Sequence, residues 1–185
     1  MRARLLASFI VVSAITIQSQ AAMMAYLTIR GQKTGLFHGG ITQKGKEGKI
    51  GVLAAEHDII SPRDLASGQG TGRKMHRPLK LTLELDKAAP LLYNALTTNE
   101  TLAEVTVDFW APQIRAVGGG GMEVNTYSIK LTGASISEIH FNMPNVQGSE
   151  TAKMPETIEV TFTYQKIEWT WKDGGITAAD DWRGN

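Results

Sequence analysis

The feature that most constrains the fold is a strict alternation of apolar and polar side chains with a period of two residues. It is clearest over residues 79–86, where the apolar set is Leu79, Leu81, Leu83 and Leu85 and the polar set is Lys80, Thr82, Glu84 and Asp86. A period of two puts one set on each face of a β-strand, so this stretch predicts a half-buried strand. The same pattern predicts further strands at Ala25–Arg30, Ile50–Ile60, Ala103–Trp110 and Ile158–Tyr164.

A second strand-rich region lies in the C-terminal half of the chain. Residues Glu123–Leu131 and Ala134–Phe141 predict a hairpin that turns at Thr132–Gly133. The apolar phase slips after Ile136 and slips again before Ile167, and each slip predicts a β-bulge.

One segment changes to the helical period. The apolar residues of its single helical face are Leu91, Leu92, Ala95 and Leu96. Pro90 suits only a first turn, so we expect a helix at about Ala88–Thr98. An isolated helix this short is marginal in water, so its apolar face must pack on a sheet or on a neighbouring subunit. Seven or so strands, one helix and no strand–helix–strand repeat predict a mainly β fold, either a barrel or a sandwich.

Composition limits the possible functions. The chain has 185 residues, no cysteine and a net charge of +1. This length suits one domain, and the absence of cysteine excludes disulfides and thiolate metal sites. The near-neutral charge argues against a dedicated nucleic-acid binder. The histidines at positions 38, 57, 76 and 140 do not have metal-ligand spacing, so we predict no metal and no cofactor.

The two ends of the chain differ from the predicted domain, residues 23–172. Residues 1–22 combine the basic start MRAR, the apolar run Leu5–Ile17 and small residues before Ala22, which is typical of a secretion signal. The alternative, which we favour, is that translation starts at Met23 or Met24. Residues 173–185 are rich in Gly and Asp and predict a polar tail that is mobile or ordered by a partner. Within the domain, residues 118–121 predict a flexible glycine loop.

The loop Ser61–Pro78 is too long and too particular in composition to be only a connector. Its GQGTGRK stretch, residues 68–74, lacks the Gly-Lys-Ser/Thr ending and the following helix of a phosphate-binding loop. Its basic cluster, Arg73, Lys74, His76 and Arg77 with Lys80 just beyond, has no aromatic neighbours on which nucleic-acid bases could stack. We therefore expect this positive rim to meet carboxylates of another subunit.

A catalytic interpretation of the same region is weak. Ser61, His57 and Asp64 are the residue types of a hydrolase triad. However, no nucleophile elbow surrounds Ser61, and Pro62 favours a turn there. We predict no catalytic residues, and a β-barrel hydrolase or effector remains an alternative.

Two linked segments resemble a known family. The segment EHDIISPRDLASGQGTGRKMHRPL and the following LELDKAAPLLYNALTTNE are similar to the haemolysin co-regulated protein (Hcp) family, the tube protein of the type VI secretion system. The similarity begins at YLTIRGQKTGLFHGGITQKGKEGKIGV and extends to FTYQKIEWTW, so it covers residues 25–171.

This resemblance implies a β-barrel of two antiparallel sheets with one short flanking helix, and six copies that close into a ring. It also implies that rings stack into a secreted tube that holds small effector proteins in its lumen, inside a contractile sheath and under a spike protein. The residues then expected to mediate ring assembly and stacking are Ser61, Pro62, Arg63, Asp64, Gly68, Thr71, Gly72, Arg73, Lys74, His76 and Arg77. The helix would pack through Leu91, Leu92, Ala95 and Leu96.

The route implied by the resemblance is secretion through the type VI system after assembly in the cytoplasm, without nucleic acid and without stable membrane association. A genuine leader at residues 1–22 would instead imply the periplasm, and with it a stand-alone periplasmic binding module as a further alternative.

Overall fold

The computed structural model describes residues 24–113, 122–148 and 150–181. Within these residues the chain forms eleven strands and one α-helix, α1 (Ala89–Thr97). The strands are β1 (Met24–Gly31), β2 (Gly35–Leu36), β3 (Ile50–Glu56), β4 (Ile59–Ile60), β5 (Met75–His76), β6 (Leu79–Glu84), β7 (Leu102–Gln113), β8 (Met122–Asn142), β9 (Thr157–Thr163), β10 (Lys166–Trp171) and β11 (Ile176–Asp181). The predicted leader and the glycine loop at 118–121 lie outside the described residues.

Six strands close into an antiparallel barrel. Their order is β8, β7, β1, β3, β6 and β9, and β9 pairs back to β8. The predicted mainly β barrel with one short helix is therefore confirmed. Two strands extend the sheet beyond the closed barrel, because β10 pairs with the first half of β8 and β11 pairs with β10.

The barrel core follows the alternation seen in the sequence. Leu79, Leu81 and Leu83 of β6 are fully buried, as the period of two requires. Leu85 is exposed because β6 ends at Glu84. Among the described residues, no helix is long and apolar enough to span a membrane.

Helix α1 lies on the barrel and contacts β8. Its bounds, Ala89–Thr97, match the predicted helix to within one residue at each end. Leu92 and Ala95 are buried, while Leu91 and Leu96 are partly buried against the core. The apolar face of the helix is thus covered by its own subunit, which accounts for the stability of so short a helix.

The predicted hairpin at Glu123–Phe141 is wrong, because this segment is the single strand β8. The first half of β8 pairs with β7 and β10, and the second half pairs with β9. Gly133 has a φ of +59°, a left-handed conformation that bends the strand without reversing it. The bulge predicted after Ile136 is confirmed by a register shift between Ile136 and Glu138.

The second predicted bulge is a complete break. β9 ends at Thr163 and β10 begins at Lys166, and the two residues between them lie opposite the bend of β8. The backbone N–H of Gln165 donates to the carbonyl of Thr132 across this break (3.2 Å).

The tail predicted at residues 173–185 to be mobile or ordered by a partner is instead ordered by its own chain as far as Asp181, and residues 182–185 lie outside the described residues. A short turn at Asp173–Gly175 reverses the chain, and β11 pairs with β10 through six residue pairs, from Trp171↔Ile176 to Lys166↔Asp181. Gly174 and Gly175 both have positive φ, which permits the tight reversal.

The loop predicted at Ser61–Pro78 is also more regular than expected. The predicted strand Ile50–Ile60 is split into β3 and β4, and β4 pairs with β5 as a separate two-stranded sheet. A further bridge joins Arg63 to Gly70. Residues 58–77, here called the arm, therefore form a hairpin that continues the β3–β6 pair away from the barrel.

Candidate assembly surface

The tip of the arm is closed by its own hydrogen bonds. Asp64 accepts hydrogen bonds from the backbone N–H groups of Ser67 (2.7 Å) and Ala66 (3.1 Å) and from the Ser67 hydroxyl (2.8 Å). These bonds, those from Ser67 first, hold the pKa of Asp64 below its ordinary value. Gly68 has a φ of +70°, which favours glycine. The tip is therefore shaped by hydrogen bonds within the chain itself.

Most of the arm is exposed, including its apolar side chains. The exposed large apolar residues are Ile59, Ile60, Leu65 and Met75, and Leu65 at the tip is fully exposed. Residues 58–77 contain four basic and two acidic side chains, not counting histidine. An apolar projection with a positive charge is typical of a docking element rather than of a solvated loop.

The base of the arm is tied to the barrel and its extension by a chain of hydrogen bonds. The Tyr164 hydroxyl contacts His57 Nε2 (2.6 Å) and His76 Nδ1 (2.9 Å). His76 Nε2 lies 2.6 Å from one carboxylate oxygen of Asp180, and Lys74 Nζ lies 2.5 Å from the other. Tyr164 follows β9 and Asp180 lies on β11, so these hydrogen bonds join the base of the arm to the end of β9 and to β11.

Burial and hydrogen bonding shift the pKa values of three residues in this hydrogen-bonded group. Burial lowers the pKa of His57, and the neighbouring His76 adds to the effect. Burial together with the charge of Asp180 raises the pKa of Tyr164 to about 12. The hydrogen bond from Lys74 holds the pKa of Asp180 below its ordinary value. At neutral pH the Asp180 carboxylate is therefore charged and the Tyr164 phenol is neutral. The Tyr164 hydroxyl can then donate a hydrogen bond to one of the two imidazoles and accept one from the other.

All the residues predicted for assembly belong to the arm. They are Ser61, Pro62, Arg63, Asp64, Gly68, Thr71, Gly72, Arg73, Lys74, His76 and Arg77. Two of them, Lys74 and His76, meet at Asp180. Asp64 shapes the tip, and Arg77 lies 3.7 Å from Asp58 at the base.

The alternative catalytic set is not assembled. His57 is hydrogen-bonded to Tyr164, while Asp64 is bonded to its own turn at the tip of the arm. Among the described residues, no group of three His, Asp or Glu side chains is arranged to hold a metal ion.

The sequence interpretation missed Tyr164 and Asp180. Both lie roughly a hundred residues from their partners, and no local pattern announces such a contact. One signal was present, because an Asp-Gly pair at Asp173–Gly174 begins two residues after Trp171, the last residue of the strand Lys166–Trp171, and is a strong hairpin signal. That signal predicts β11, although not the contact of Asp180 with the arm.

The opposite end of the barrel carries a second exposed apolar surface. β6 runs away from the arm, from Leu79 opposite Phe162 to Glu84 opposite Thr157. The exposed apolar residues at this end, here called the far-end patch, are Leu85, Phe141, Met143, Val146 and Met154. The flanking segments 84–87 and 142–157 contain four acidic and two basic residues. The arm thus has an excess of two basic residues, and the segments 84–87 and 142–157 beside the far-end patch have an excess of two acidic residues.

Comparison with known proteins agrees with this architecture. The model of the family described as "Type VI secretion system effector, Hcp" matches residues 26–171, which is most of the chain. The chain belongs to the Hcp family. It is 36% identical over 171 residues to the "Major exported protein" of Pseudomonas aeruginosa, covering 88% of this chain and 96% of that protein.

Solved Hcp structures have the same fold. A crystal structure of an Hcp protein is 32% identical with a TM-score of 0.76, covering 89% of this chain and all of that one. The secreted protein Hcp3 of Pseudomonas aeruginosa is 30% identical with a TM-score of 0.69, covering 88% of this chain and all of that one. The family match includes the arm and β10 and ends at Trp171, before β11.

Proposed function

We propose that this Hcp protein is a secreted structural subunit of the type VI secretion tube. Six copies would close into a ring, and rings would stack head to tail through the arm. The observation that carries the stacking is the exposed, preshaped arm, whose tip presents Leu65 to solvent. A side chain of this size gains about 2 kcal/mol when it is buried, so a partner surface would stabilise each arm that docks.

The far-end patch is the surface that suits the arm. Both surfaces are apolar, and the arm carries an excess of two positive charges while the segments beside the patch carry an excess of two negative charges. Surfaces at opposite ends of one barrel make a heterologous contact, which repeats along an axis without closing. Stacking of successive rings is the assembly that such a contact produces.

The remaining partners follow from the same proposal. The tube would hold small effector proteins in its lumen, lie inside a contractile sheath and end at a spike protein. The subunit would be assembled in the cytoplasm and secreted through the type VI system, without a cofactor and without catalysis of its own.

Substitution of Leu65 tests the stacking contact. Leu65→Ser should weaken each ring-to-ring contact by about 2 kcal/mol, because the lost apolar burial is not replaced. The single ring should be unaffected. We expect shorter stacks by electron microscopy and a shift from stacks to single rings in sedimentation velocity.

A matched control is Ile176→Ser, which removes another exposed apolar side chain, one that lies neither on the arm nor on the far-end patch. This variant should stack as the wild type does. Equal stacking of the wild type and Leu65→Ser would contradict the proposal, as would equal losses in the two variants.

A further inference from the structure

The C-terminal strand reaches from the barrel extension to the returning strand of the arm. Asp180 lies near the end of β11, where it is paired with Ile167 of β10. Lys74 lies just before β5 and His76 lies on it, two residues further along the chain, so their side chains project to the same side. Both project toward Asp180, which accepts a hydrogen bond from Lys74 with one oxygen and from His76 with the other.

This contact is built rather than incidental. The His76 side chain is only 3% exposed, so its contact with Asp180 is screened little by solvent. Its second ring nitrogen is hydrogen-bonded to Tyr164, so both nitrogens of the imidazole are engaged and the ring orientation is fixed. Trp169 of β10 lies against the same ring, with centroids 6.5 Å apart. The arm is therefore held from two strands of the extension and from the end of β9.

We propose that Asp180 is a positioning residue, and that β11 holds the arm at one angle to the barrel so that it is ready to contact a second copy of this chain. The inference rests on the proposed function of the arm in stacking. A hinged arm would lose conformational freedom each time it docked, and an arm already fixed by Asp180 avoids that loss. Asp58 also lies at this base, beside His57 and Arg77.

Amide hydrogen exchange on the full chain tests the positioning role. Asp180→Asn keeps the shape of the side chain, removes its charge and replaces one carboxylate oxygen by an NH2 group, so one of the hydrogen bonds from Lys74 and His76 is lost and the other becomes weaker. We expect exchange within residues 58–60 and 74–77 to become about tenfold faster, while β1 and β7 exchange as in the wild type. Asp180→Glu, which restores the carboxylate, should recover part of the protection.

Asp173→Asn is the matched control. It makes the same change of charge at an exposed position in the turn before β11, at the opposite end of the strand from Asp180. Unchanged exchange in Asp180→Asn would overturn the proposal. Faster exchange throughout the barrel would also overturn it, since Asp180 would then act on global stability.

Assembly is the second measurement, and it separates this inference from the proposed function. Shorter stacks in Asp180→Asn, together with faster exchange confined to the arm, would support both the positioning role of Asp180 and the proposed stacking function. Faster exchange in the arm with unchanged stacks would overturn the positioning role in assembly. If the wild type never associates, the proposed function fails, and the exchange result still decides whether Asp180 fixes the arm.

Discussion

Among single residues, Glu100 has the most demanding environment. Its side chain is almost fully buried just after α1, where it accepts hydrogen bonds from the backbone N–H groups of Lys33 and Thr34 (both 2.8 Å) and from the Thr34 hydroxyl (2.6 Å). Burial alone would raise the pKa of Glu100, but the hydrogen bonds from Thr34 and Lys33 outweigh it and hold that pKa below 4.5. This carboxylate ties the end of the helix to the turn after β1.

Replacement of Glu100 should therefore be costly. Glu100→Gln puts an amide where three donors converge, and we expect a loss of roughly 2–3 kcal/mol in the free energy of unfolding at pH 7. Because folding lowers the pKa of Glu100, its contribution is present above about pH 4.5 and is lost as the pH falls through the folded-state value. The difference in free energy of unfolding between the wild type and Glu100→Gln, measured with urea, should therefore shrink as the pH is lowered.

The exposed Glu138 provides the control, since Glu138→Gln makes the same change where the side chain faces solvent. That variant should unfold within about 0.5 kcal/mol of the wild type. Equal unfolding midpoints for the two variants at pH 7 would contradict the role assigned to Glu100.

At the scale of elements, the bend of β8 depends on Gly133. A Cβ atom at this position would lie 2.6 Å from the side-chain oxygen of Gln165, and the φ of +59° is unfavourable for other residues. The bend lets one strand pair with β7 and β10 and then with β9. Closure of the barrel thus depends on one glycine in the middle of a strand.

Gly133→Ala should destabilise the protein for two separable reasons. The positive φ costs about 1 kcal/mol for a residue with a Cβ, and the contact with Gln165 adds to it. Combining Gly133→Ala with Gln165→Ala should remove the contact and leave the backbone cost. Chemical unfolding of the two single variants and the double variant gives each contribution. A Gly133→Ala variant as stable as the wild type would show that the bend does not require glycine.

The elements that the sequence predicted well are those whose pattern is local. Strand β6 and helix α1 each have an unbroken period, of two residues and of about 3.6 residues respectively. Gly133 shows why the predicted hairpin failed, since a glycine with positive φ serves a turn and a bend equally well. The sequence did not predict β11, because its residues, ITAADD, hardly alternate in polarity.

At the scale of the whole molecule, the chain combines a closed barrel with two outward projections, the arm and the β10–β11 extension. Composition and family resemblance single out residues 61–78 as a candidate assembly element, and that role stays a prediction. The contacts that fix the arm were not predictable, because Tyr164 and Asp180 are brought to Lys74 and His76 only by barrel closure and by the reversal after Trp171. Such contacts depend on the complete topology, which no segment of the sequence carries alone.

If this chain is a ring-forming tube subunit, the purified wild-type protein should form rings in solution, and its oligomeric state is the property to measure. Sedimentation velocity at roughly 20 μM, combined with negative-stain electron microscopy, reports both the mass and the shape of the particles. We expect uniform rings with the mass of six chains, some of them stacked on a common axis. A strict monomer at this concentration, with no ring in the images, would contradict it.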